Sequence, residues 1–194
     1  MLMQLIFQIL GWVFDFFTIA LLARVLMQWA RAPFRNPPGQ FIIAVTDWAV
    51  IPARRVLPAA TNIDLPSLLL AWLAQALLQG LLLGLTLAST DALAPTGFLT
   101  VLLLSFLAVA RSFLYLLIGV VLISALFSWV NPAAPLAPLF NLLSRPFLAP
   151  LQRFIPPIGG VDLSPMALLL ILQVLLGVLA ALQHQLLPAM IFMP

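Results

Sequence analysis

Pro52-Ala53-Arg54-Arg55-Val56-Leu57-Pro58, then Ile63-Asp64-Leu65-Pro66-Ser67, is answered by Pro150-Leu151-Gln152-Arg153-Phe154-Ile155-Pro156, then Val161-Asp162-Leu163-Ser164-Pro165. Pro52 matches Pro150, Arg55 matches Arg153, Pro58 matches Pro156 and Asp64 matches Asp162 at one constant offset. In the same frame Thr46-Asp47-Trp48 stands opposite Ser144-Arg145-Pro146. Upstream, Trp29 and Asn36-Pro37 answer Trp129 and Asn131-Pro132 with a small shift in spacing. Self-similarity of this kind fixes architecture before single residues are interpreted. It predicts two equivalent units, residues 1–90 and 91–194, each a span, an Arg-bearing loop and a second span.

The 194 residues are 64% hydrophobic and only 7% charged, with a mean hydropathy of +1.21. A soluble domain is roughly half apolar and about a quarter charged, so this chain has too little polar surface for water. It reads as an integral membrane protein. There is no cysteine, which removes disulfides and thiolate metal sites. Every base is Arg and every acid is Asp. The high isoelectric point reflects the scarcity of acids; the dense basic stripe that nucleic acid requires is missing.

A span needs about 20 mostly apolar residues, and four stretches supply them: Leu5–Gln28, Leu65–Ala88, Phe98–Val130 and Met166–Leu187. The first lacks a basic leader and contains Asp15, so it reads as a retained span rather than a signal peptide. At roughly 1.5 Å per residue the third would reach about 50 Å. Either it tilts and projects from the bilayer, or it begins with an interfacial turn near Phe98–Leu103. Arg31, Arg35, Arg54 and Arg55 lie in the first loop and Arg145 and Arg153 in the second, while the Ser89–Gly97 connection carries Asp91 and no base. The positive-inside rule then places both loops in the cytoplasm and both termini in the periplasm. The expected fold is an all-α membrane protein: four transmembrane helices in a parallel two-plus-two repeat, with short Pro-bounded interfacial helices in both cytoplasmic loops. Prolines cut each loop into pieces of two or three turns, which suggests two short helices per loop, interfacial or re-entrant.

Candidate functional residues are few. His184 is the only histidine, and one His with no Cys makes no self-contained zinc site; no metal, cofactor or catalytic set is expected. Asp15 and Arg111 fall inside spans, where ionised groups pair or line a wet path. In the repeat frame they lie about one turn apart, so they form either a register-fixing bridge or an element of a gate. Arg24, which faces Ser124 in the repeat, is expected to snorkel toward headgroups. Gln75 and Gln173 share a repeat position and suit interhelical hydrogen bonds, with Gly80, Gly84 and Gly177 allowing close backbone approach. Asp64 and Asp162 precede the second span of each unit as helix caps. Arg54, Arg55, Arg153 and Arg145 are the candidate lipid- or partner-binding set, because guanidinium groups meet phosphate well.

Leu21-Leu22-Ala23-Arg24-Val25-Leu26-Met27-Gln28-Trp29-Ala30-Arg31 with Asn36-Pro37, the Pro52–Pro58 segment and Gly159-Gly160-Val161-Asp162-Leu163-Ser164-Pro165 together resemble the YggT family of small bacterial membrane proteins. The resemblance covers nearly the whole chain. It departs at Gln152, where a second Arg is usual, and at Trp48, where a proline is common. The resemblance implies links to osmotic-shock tolerance, ion uptake and the cell-division gene neighbourhood and, through plastid relatives, to cytochrome assembly and nucleoid distribution; it implies no enzymatic activity. The expected function is therefore a non-enzymatic inner-membrane accessory or assembly factor in envelope and osmotic homeostasis. Its partners would be anionic lipid headgroups and either a membrane protein or further copies of itself. The competing expectation is a small oligomeric channel or transporter subunit with Asp15 and Arg111 near the path.

Overall fold

The computed structural model describes residues 2–57, 63–87, 96–155 and 162–186. Pro58, Asp91, Pro156 and Gly159–Val161 of the repeat and loop segments lie outside the described residues. Among the described residues six helices follow one another: α1 (Leu2–Trp29), α2 (Pro37–Val56), α3 (Leu65–Leu87), α4 (Thr96–Val130), α5 (Ala137–Phe154) and α6 (Ser164–Leu186). No strand occurs among the described residues. α1, α3, α4 and α6 are long and apolar enough to cross a membrane. They are apolar on every side, and Trp12, Leu77, Phe106, Leu170 and Val174 stand exposed along them. Such surfaces are stable in hydrocarbon, where a helix also satisfies its own backbone. The chain is a multi-pass membrane protein.

α1 packs along α3, α3 along α4 and α4 along α6, and α1 also touches α4. α2 lies against α1 and α3, while α5 lies against α4 and α6. The main core joins the end of α1 to the later helices: Leu26 and Met27 pack with Val120, Val121, Leu143 and Leu168. A second cluster holds Leu21, Leu22, Val50, Ala71 and Val109. The Trp29 and Phe147 rings meet with centroids 5.8 Å apart, tying α1 to α5.

α4 runs unbroken for 35 residues, about 52 Å of helix. No turn interrupts it near Phe98–Leu103, so of the two expected forms the continuous one is present. The loops differ more from expectation. Each folds as one helix, of 20 residues in α2 and 18 in α5, rather than two short pieces. Pro52, Pro146 and Pro150 are accommodated inside these helices, on their exposed sides. The buried stripe is formed by Gly39, Thr46 and Val50 in α2, all ahead of Pro52, and by Leu139, Leu143, Ser144 and Leu148 in α5, the last of them beyond Pro146. Packing of that stripe outweighs the lost hydrogen bonds, which fall on the outer side.

Two local devices set the path from α1 to α2. α1 closes with Ala32 N–H on Met27 O (2.8 Å) and Arg31 N–H on Gln28 O (3.1 Å), with Arg31 at φ 54°. This is the paired closure of a Schellman motif, here with Arg where Gly is commonest. Asn36 then caps α2, its Oδ1 accepting from Gly39 N–H at 2.7 Å. Pro37 and Pro38 occupy the first turn, where their missing N–H groups cost least. A Cβ on Gly39 would stand 2.8 Å from Phe34 Cα, so the approach requires glycine. By contrast, Gly84 and Gly177 have nothing within 4 Å of an added Cβ, and Gly80 meets only Val101 at 3.9 Å. The expected close backbone approach at these three is not found.

Candidate functional site

α1 brings Arg24 to the place where α2 crosses it and α3 begins. Arg24 is 6% exposed. Its Nη1 donates to Thr46 Oγ1 at 2.8 Å and to Asp47 Oδ1 at 2.6 Å, and its Nε lies 3.4 Å from Asp64 Oδ2. Arg54, in the last turn of α2, reaches the same Asp64 oxygen at 2.7 Å and Gln28 Oε1 at 3.4 Å. Ser67 Oγ donates to that oxygen as well, at 2.8 Å. Two guanidinium groups and two carboxylates thus neutralise one another, with Asp64 wholly buried. Sequence reasoning missed this cluster. Arg24 was expected to reach out to headgroups; the structure turns it inward, because two aspartates on neighbouring elements wait there.

The equivalent place in the second unit is open. Counting from Trp29 and Trp129, Ser124 replaces Arg24. In the loop frame Ser144 replaces Thr46, Arg145 replaces Asp47, Gln152 replaces Arg54, and Asp162 matches Asp64. Ser124 Oγ donates to Asn141 Oδ1 at 2.7 Å and lies 3.0 Å from Ser144 Oγ. Gln152 Nε2 donates to Asp162 Oδ2 at 2.8 Å. Between these groups is a cavity of about 300 Å³.

The remaining candidate residues separate. Arg55, Arg145 and Arg153 are exposed, and Arg145 borders the cavity. Asp162 accepts from the Ser164 N–H at 2.8 Å, as a cap should. Asp64, directly ahead of α3, instead spends Oδ2 on Arg24, Arg54 and Ser67, and its Oδ1 has no hydrogen-bond partner. It serves mainly as a counter-ion. Asp15 and Arg111 are not brought together as an ion pair: Asp15 accepts from Gln75 at 3.0 Å, and Arg111 reaches Gln183 at 3.4 Å. Each charge finds a nearer amide on its own neighbouring helix. Gln75 also bonds Thr18, whereas Gln173 is exposed on α6. Burial alone would raise the Asp162 pKa, but hydrogen bonds from Ser164 and Gln152 outweigh it and hold the carboxyl below its ordinary value. Among the described residues no group of three His, Cys, Asp or Glu side chains could hold a metal ion.

The model of the CCB3/YggT family matches the chain twice, over residues 3–86 and 103–183. The chain belongs to the CCB3/YggT family. It is 34% identical over 177 residues to the uncharacterized protein YggT of Escherichia coli (strain K12), covering 90% of this chain and 89% of that one. A Vibrio alginolyticus protein from the proC 3' region is 37% identical over 161 residues, covering 82% and 85%. An uncharacterized Pseudomonas aeruginosa protein is 36% identical over 173 residues, covering 88% and 84%. No solved structure matches. The double match of this YggT relative falls on the two halves that the repeat delimits, and both α2 and α5 lie inside it.

Proposed function

We propose that this protein is a non-enzymatic accessory or assembly factor of the bacterial inner membrane. It would serve envelope and osmotic homeostasis, with α2 and α5 holding anionic headgroups of the cytoplasmic leaflet. In this reading the four spans form a parallel two-plus-two arrangement with a pseudo-twofold axis along the membrane normal, and both termini are periplasmic. The observation that carries it is the makeup of the two loop helices. Each buries one stripe against the spans and exposes Arg55 or Arg153 beside large apolar side chains, Ile51 and Val56 on α2 and Phe154 on α5. Trp48 stacks on Phe17 with ring centroids 5.3 Å apart, which holds α2 along α1, so that its outer side meets lipid at the headgroup boundary. Exposed arginines at that level gain from the negative surface potential of the leaflet.

Native mass spectrometry of the full chain tests this reading. Substituting Arg55→Gln and Arg153→Gln together should lower retention of phosphatidylglycerol relative to phosphatidylcholine about thirtyfold, at roughly 1 kcal/mol per arginine near an anionic surface. An unchanged ratio would sink the lipid-holding reading. Crosslinks from these positions to one membrane protein would replace lipid with a protein partner. A deletion strain that survives hypo-osmotic shock like its parent would remove the homeostasis role. Asp15 and Arg111 serve different helix pairs, which favours a scaffold over a channel.

A further inference from the structure

We infer that the cavity between α4, α5 and the start of α6 is a binding site for a small zwitterion. The ligand carries a primary ammonium beside a phosphate, as in phosphoethanolamine, either free or as a phospholipid headgroup.

The inference starts from what the first unit does with the same place. There a guanidinium from the chain itself, that of Arg24, fills the space between Thr46, Asp47 and Asp64. The second unit keeps the Asp64 carboxylate as Asp162 and the Thr46 hydroxyl as Ser144, but Ser124 supplies no cation. Two of the three acceptors remain and the donor is gone. Asn141 adds an amide where the first unit has the apolar Ile43, and its side chain faces Ser124. The wall became more polar as the internal cation was lost. Simple shrinkage of a packing contact would have closed the gap with apolar groups.

Charge then selects the ligand. Asp47 is replaced by Arg145, so the cavity has one carboxylate and one guanidinium on its walls. No ion pair joins Arg145 to Asp162 among the described residues. A simple anion would face the Asp162 carboxylate, and a simple cation would face Arg145. A molecule with both charges satisfies both walls: its ammonium takes the role of the missing Arg24 group, and its phosphate meets Arg145 in the geometry guanidinium prefers. A volume of about 300 Å³ is far beyond the ~30 Å³ share of a single water and is at the lower end of small-molecule pockets. Trp129 on the lining is the aromatic anchor expected near a membrane–water boundary, within reach of a headgroup.

The test titrates the detergent-purified full chain, by native mass spectrometry, with phosphatidylethanolamine, phosphatidylcholine and phosphatidylglycerol of matched acyl chains. Soluble phosphoethanolamine is run as a separate arm and as competitor. Phosphatidylethanolamine should bind about tenfold more tightly than the other two, since phosphatidylcholine has no N–H donors and phosphatidylglycerol no cation. Ser124→Arg, which restores the internal guanidinium, should abolish binding. Should that variant fail to fold, Arg145→Gln, an exposed change, should weaken binding about tenfold with unaltered melting. Binding of the lipid alone assigns the site to a headgroup; competition by phosphoethanolamine assigns it to the soluble zwitterion. Equal binding of all three lipids with no effect of phosphoethanolamine, or wild-type affinity in Arg145→Gln, overturns the inference. The exposed Arg55 and Arg153 are untouched here, so failure of anionic-lipid retention and failure of this site are read on different residues, the first on phosphatidylglycerol and the second on phosphatidylethanolamine.

Discussion

Arg24 is the residue on which the first unit closes. Its side chain satisfies carboxylates from two other elements at once, and one of them, Asp64, has no exposed surface. A buried ion pair is weak evidence of net stabilisation, because desolvation offsets much of the attraction, but removing one partner leaves an uncompensated charge. Arg24→Met should therefore cost about 3–5 kcal/mol, seen as a lower melting temperature in mild detergent. Adding Asp64→Asn should recover part of the loss, since the orphaned charge goes with it. A melting temperature unchanged by Arg24→Met would mean that Arg54 alone neutralises Asp64. The cluster was legible in the sequence through a signal that single positions do not carry. Between the two units Arg24 becomes Ser124, Asp47 becomes Arg145 and Arg54 becomes Gln152. Three charged positions change together while Asp64 and Asp162 stay, the pattern expected of side chains in mutual contact. Reading each position alone gave Arg24 a place at the surface.

Among elements, the spans were easy to read and the loop helices were not. Runs of apolar residues long enough to cross a bilayer specify helices with little ambiguity, and the expected and observed ends agree to within three residues. In the loops proline does not divide the helices as its interior cost alone suggests. Pro52, Pro146 and Pro150 each forgo a backbone hydrogen bond, yet all three are exposed, away from the buried stripe of their helix. The stripe decides because helices in proteins draw most of their stability from packing one face. The start of α6 is specified more locally. Asp162 takes the Ser164 amide, and its pKa is held down by hydrogen bonds from Ser164 and Gln152 despite the opposing effect of burial. A carboxyl with a lower pKa folded than unfolded stabilises the fold above the ordinary carboxylate range and loses that contribution as pH falls toward the folded value. Asp162→Ala should cost about 1 kcal/mol at neutral pH. The gap in melting temperature from wild type should narrow as pH drops below about 4. A gap that stays constant with pH would show that the carboxylate form is not what stabilises the α6 start.

At the scale of the whole molecule, the two units share a scaffold and divide its chemistry. α1, α2 and α3 close around an internal ion cluster, whereas α4, α5 and α6 surround an open polar cavity at the matching place. The clamp of Leu26 and Met27 against α4 and α6 residues makes the first unit a support for the second, so the closed half can hold the open half in shape. This division requires that both loop helices lie at the same membrane face. The absence of native cysteine makes that directly measurable, since any introduced thiol is the only one in the chain. Arg55→Cys and Arg153→Cys sit on exposed positions of α2 and α5 and should disturb packing little. In intact cells both should resist a membrane-impermeant maleimide, and in inverted vesicles both should react, as the positive-inside rule requires. Reaction of one position from each side would break the parallel arrangement and leave the two units inverted with respect to each other. Reaction of both in intact cells would keep the repeat and reverse its orientation, placing the cavity at the periplasmic headgroups instead.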